Sequence, residues 1–130
     1  MISDKFHTDI WQSERLVKIG FDPCEADMYY RDGKYYVGRF NPNTMASIAP
    51  IWSAVRLMSQ RFANKVDYII VANDRTGWEE EWKCEFVPED NRDRQYFVYA
   101  KELPEALVKL FEMLNRDDKL WREDEEEETW

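Results

Sequence analysis

The chain has 130 residues and a mass of 15.8 kDa, 44% hydrophobic, 15% aromatic and 35% charged. That is one domain's worth, enough to bury roughly two-thirds of its extended surface, and too aromatic for a disordered polymer. Twenty-seven acids against 18 bases give a net charge of −9, which argues against a basic nucleic-acid footprint; no apolar run approaches the ~20 residues of a membrane span.

Residues 1–6 carry no apolar signal core, so a soluble, cytoplasmic domain is expected. The first helix is predicted over residues 9–19: Asp9 can cap the first turn, Gln12 can reach back to it, and Gly20 suits a left-handed stop. Asp22-Pro23-Cys24-Glu25 reads as a second start signal, good for about one helical turn. Met28-Tyr29-Tyr30 and Lys34-Tyr35-Tyr36-Val37-Gly38 flank Arg31-Asp32-Gly33, a hairpin signature. Asn41-Pro42-Asn43 breaks the strand.

A second helix is predicted from Pro50 to about Phe62, because Ile51, Ala54, Val55, Met58 and Phe62 share one helical face. The mostly β-branched run at 67–72 predicts a central strand, and residues 74–77 a turn. From Trp78 the pattern has period 2: Trp78, Glu80, Trp82, Cys84 and Phe86 on one face, Glu79, Glu81, Lys83 and Glu85 on the other. A polar loop over 88–94 precedes a strand at 95–100. Pro104 opens the last helix, with Ala106, Leu107, Leu110, Met113 and Leu114 facing inward. The expected class is α+β: helices packed on one face of a largely antiparallel sheet formed by the hairpin and about three strands. The single domain is expected to span residues 1–119. Residues 120–130 form an acidic tail whose six consecutive acids, Glu123 to Glu128, repel one another. Leu120-Trp121 could dock on the body.

Several segments in this order resemble a known family. They are residues 12–23, QSERLVKIGFDP; Ala26-Asp27-Met28-Tyr29-Tyr30; Pro50-Ile51-Trp52-Ser53; and Ala106-Leu107-Val108 with the leucines beyond. The family consists of small uncharacterised proteins from phages and integrated mobile elements of gut anaerobes. Its pattern has Leu after the Trp-Ser pair, where this chain has Ala54, and lacks the acidic tail and Trp130. The resemblance implies a mobile-element origin and no particular reaction. The same residues have structural readings as helix stops, helix starts and core.

Raw material for catalysis is thin. Cys24 and Cys84 are the only thiols and His7 the only imidazole. Cys84 is expected inward beside Trp82 and Phe86, as a small apolar group. A Cys24–His7 pair would need the N-terminal segment folded back. Zinc lacks a ligand set, and a disulfide is disfavoured in this compartment. Asp22, Glu25 and Asp27, or Glu89, Asp90 and Asp93, are carboxylate groups without a calcium-loop pattern. No cofactor or metal is expected. Glu80 is the acid of most interest: it alternates with Trp78 and Trp82, where burial would raise its pKa. The favoured alternatives are that this strand end is exposed, or that Glu80 pairs with Arg75 or Arg94.

The reading favoured by the sequence is a small non-enzymatic protein-binding protein of a phage or mobile element. It would engage a host or phage protein through Tyr29, Tyr30, Tyr35 and Tyr36 of the hairpin, with Trp130 and the acidic tail as further contacts. In a narrower form the tail mimics nucleic-acid charge against a basic groove. The alternatives are a small enzyme or ligand-binding domain for a nucleotide or sugar, built on Glu80 and nearby aromatics, and a virion component.

Overall fold

The computed structural model describes residues 6–41, 43, 48–60, 62–76, 79–88 and 96–120 (backbone alone at 74–76 and 79). Helix α1 spans Ile10–Lys18. Its start is the reciprocal cap foreseen in the sequence: the Gln12 amide donates to Asp9 at 2.7 Å, and the Asp9 amide donates to Gln12 Oε1 at 2.9 Å. Gly20 follows at φ 108°, a conformation that ends the helix without Cβ strain. A single 3-10 turn, Pro23–Glu25, is capped by Asp22, which accepts from the Cys24 amide.

Strands β1 (Met28–Arg31) and β2 (Lys34–Val37) form the expected hairpin. Asp32 and Gly33 both have positive φ, as a two-residue turn matching strand twist requires. Strand β3 (Ala49–Ile51) lies on the other side of β1, giving the order β2-β1-β3. Helix α2 is only Ala54–Met58. The long helix expected from Pro50 is therefore corrected to a strand followed by a short helix. Pro50 sits on a sheet edge, where a missing N–H costs no ladder bond. Ile51 and Trp52 enter the core in extended conformation, whereas Val55 and Met58, assigned to the inner stripe, point to solvent. Ala54 and Leu57 face inward instead. Phe62 is buried from beyond the helix, in a bridge with Leu120.

The second sheet has the order β4 (Tyr68–Thr76), β5 (Glu79–Val87), β6 (Phe97–Ala100), all antiparallel. β4 runs on over residues 74–76, where a turn is expected, and residue 77 lies outside the described residues. β4 is an edge strand, not the central strand its β-branched run suggested; β5 is central. Helix α3 (Leu103–Arg116) packs on β5 and β6 and also contacts α1 and α2. The fold is α+β, as expected, and the six strands among the described residues are divided between two three-stranded sheets. The core joins Leu16 of α1, Trp52, Leu57 of α2, Cys84 and Phe86 of β5, and the buried side of α3: Leu103, Ala106, Leu107, Leu110, Phe111 and Leu114. Burying such large apolar side chains contributes ~1.5–3 kcal/mol each.

Buried polar groups tie these layers. Thr8 donates its amide to the Trp52 carbonyl at 2.9 Å, and its Oγ1 accepts from the Trp52 amide at 3.0 Å and contacts Ser13 Oγ at 2.7 Å. Arg15 joins α1 to α3 by pairing with both Glu105 and Glu112. These two carboxylates hold the Arg15 guanidinium even more firmly protonated than usual.

Candidate binding surface

Two aromatic surfaces emerge, and only one was foreseen. On the hairpin, Tyr29 stacks on Tyr36 across the strands, with ring centroids 5.3 Å apart, and Tyr30 meets Tyr35 edge-on at 5.1 Å. Such cross-strand pairs stabilise a hairpin. Tyr29, Tyr30 and Tyr35 are half-buried and Tyr36 is 39% exposed. Tyr29 packs against the core, and Tyr35 lies against the His7 ring at 4.3 Å. The hairpin thus shows solvent a partial tyrosine surface, with Tyr36 exposed on one face and Val37 exposed on the other. Trp130 lies outside the described residues.

The second surface is the outward face of β4–β5–β6. Register fixes it. Cys84 and Phe86 of β5 are buried beneath α3, so Lys83 and Glu85 point outward. Phe97 lies opposite Glu85, Tyr99 opposite Lys83, and Ile70 opposite Glu85 from the other side. Tyr68 follows by alternation. Tyr68, Ile70, Phe97 and Tyr99 are 52%, 41%, 44% and 43% exposed. The Lys83 ammonium sits 5.3 Å from the Phe97 ring centre and 5.8 Å from that of Tyr99, inside cation–π range. Beside this face, β4 leaves its outer edge unpaired among the described residues. The sequence signal was available: Phe97-Val98-Tyr99 alternates, and residues 67–72 are apolar at consecutive positions. Only the register shows that the odd and even sets face opposite ways.

Glu80 is exposed and accepts a hydrogen bond from Asn73 Nδ2 on the neighbouring strand. The backbone register sets Arg75 opposite Glu80. Glu80 thus follows the open-strand-end reading and is not buried as the enzyme reading needs: this end of β5 runs past the cover that α3 gives to Cys84 and Phe86. Trp82 is half-buried, edge-on to Phe6 at 6.5 Å. Trp78, Arg94, Glu89, Asp90 and Asp93 lie outside the described residues.

Cys84 is fully buried, and burial pushes its thiol up to about 12, so it stays protonated and unreactive at neutral pH. Cys24 is half-buried beside a depression of about 440 Å³ also lined by Glu25, Ala26, Asp27, Arg39 and Arg56. Arg39 Nε donates to the Cys24 carbonyl at 3.4 Å and Arg56 Nε to that of Glu25 at 2.9 Å. His7 donates from Nδ1 to the Thr8 carbonyl at 2.8 Å, with its ring on Tyr35, so the Cys24–His7 pair does not form. Asp22 caps the 3-10 turn, and Asp27 accepts from the Ser53 amide and hydroxyl. Among the described residues no cluster of three His, Cys, Asp or Glu has metal-binding geometry.

No family model, no curated protein and no solved structure matches the chain.

Proposed function

We propose that this chain is a small non-enzymatic binding protein of a phage or mobile element, acting in the host cytoplasm on a protein partner. The observation that carries this reading is the outward face of β4–β5–β6, with four large exposed side chains, Tyr68, Ile70, Phe97 and Tyr99, set around Lys83 and Glu85. Exposed aromatic and aliphatic side chains flanking one cation and one anion suit a protein partner better than a phosphate backbone, which calls for a one-sign basic groove. The unpaired edge of β4 adds backbone donors and acceptors for a partner strand. The hairpin face that carries Tyr36 is a secondary contact in the same reading.

The test is affinity capture from host lysate with the full chain, at low salt and in 1 M NaCl. Two variants run beside it: Phe97→Ser with Tyr99→Ser, and Tyr36→Ser. Circular dichroism checks folding. A dominant partner that survives salt and is lost with the double variant is expected. A partner that survives the double variant, or none at all, overturns the assignment to this face. A partner lost only with Tyr36→Ser moves the contact to the hairpin.

A further inference from the structure

The chain is strongly acidic, yet one groove on it is cationic. Lys18 and Ile19 at the end of α1, Val98 of β6, and Lys109, Glu112, Met113, Asn115 and Arg116 of α3 line about 670 Å³. The four α3 positions 109, 112, 113 and 116 fall on one helical stripe. Ile19, Val98 and Met113 form an apolar floor, each packed against the core. Lys18, Lys109 and Arg116 are exposed around it, and none makes an ion pair among the described residues. The one carboxylate of the lining, Glu112, is already held by Arg15. Asn115 adds a buried Oδ1 with no hydrogen-bond partner.

We propose that this groove is a site for an acidic peptide segment, and that residues 123–130 of the same chain occupy it in cis. The segment is Glu-Asp-Glu-Glu-Glu-Glu-Thr-Trp: six acids for the three exposed cations of the groove, and an indole for the apolar floor. The tether starts in the right place. Leu120 is buried beside Phe62 only four residues after Arg116, itself part of the groove wall. The ten residues beyond Leu120 reach up to about 35 Å when extended, at about 3.5 Å per residue. Short tethers give effective concentrations in the millimolar range, so modest electrostatic attraction suffices. An acidic partner segment would have to displace the tail first. This inference is independent of the aromatic face.

The experiment is ¹⁵N relaxation on the full chain at low salt. Order parameters above about 0.6 are expected for residues 123–130, falling below about 0.6 in 1 M NaCl and in Lys109→Glu with Arg116→Glu. The amides of Ile19 and Met113 shift with them. Reversing tail charges, Glu125→Lys with Glu127→Lys, releases the tail of the wild-type body without touching the fold. Combining the two reversals restores order. A tail with low order parameters in the wild type, or one indifferent to either reversal, overturns the proposal. Ordering that grows with protein concentration also overturns it, because the tail would then bind another copy.

Discussion

At the scale of single residues, the two thiols show how environment decides chemistry. Cys84 faces α3 from the middle of β5 with no surface open to solvent, so its charged form is penalised. Cys24 sits half-open at the 3-10 turn. A thiol reagent such as Ellman's should therefore titrate one cysteine in the native chain and the second only in denaturant. The raised folded-state value also has a sign in stability. Below pH 9 both states keep the Cys84 proton and the group is neutral to folding. Between pH 9 and about 12 the unfolded thiol ionises while the folded one does not, so stability falls as pH rises. Urea midpoints from pH 8 to 11 should drop faster for the wild type than for Cys84→Ala, by at most about 1.4 kcal/mol per pH unit. Parallel curves would rule this out. The inward position of Cys84 was legible from the period-2 run; for Glu80 in the same run alternation assigns a face but not how far the cover over it extends, so an open strand end was the favoured reading and burial the other.

Single elements follow the same division between local and tertiary causes. The cap of α1, the 3-10 turn and the Asp32-Gly33 hairpin are local chemistry, and all three were readable from short stretches. Helix α2 was not. Five residues cannot sustain a helix unaided, and its start is fixed by a residue 26 positions earlier. The Ser53 hydroxyl donates to Asp27 Oδ2 at 2.5 Å and accepts from the Arg56 amide at 3.1 Å; the Ser53 amide donates to Asp27 Oδ1 at 2.9 Å. A five-residue stripe at helical spacing looked convincing, but Ile51 belongs to a strand and Val55 to the surface. Asp27→Ala should cost about 1–3 kcal/mol, as it strands two donors of Ser53. Asp27→Asn, which keeps one acceptor, should cost clearly less. Chemical denaturation reads both, and equal losses would show that the carboxylate is not the brace of α2. Asp22 and Asp27, two of the carboxylates in the 22–27 group, are spent on such internal bonds.

For the whole molecule, the division into two sheets explains what the sequence left illegible about the binding surfaces. Apolar residues at consecutive positions in 68–71 resemble a strand covered on both sides. Here one set packs toward α3 and the other stays open, which is what makes the outward face of β4–β5–β6 a candidate interface. No local pattern distinguishes an open apolar face from a covered one; α3 has only one side to give. The same limit applied to the cationic groove, whose residues come from α1, β6 and α3. The end of the folded body also became clear only in three dimensions. Leu120, counted with the tail in the sequence, is buried in the core and bridges Phe62, and the Lys119 carbonyl accepts from the Ala63 amide at 2.8 Å. This contact straps the chain after α3 to the segment between α2 and β4, far apart in sequence, and so closes the body. Leu120→Ala should then lower stability by about 2–4 kcal/mol, a core-sized loss from a residue at the margin of the charged tail. Hydrogen exchange should report the change at Ala63 first, because its amide depends on the strap directly. A loss within about 0.5 kcal/mol would instead mean that the folded body ends with α3 and that Leu120 belongs with the tail.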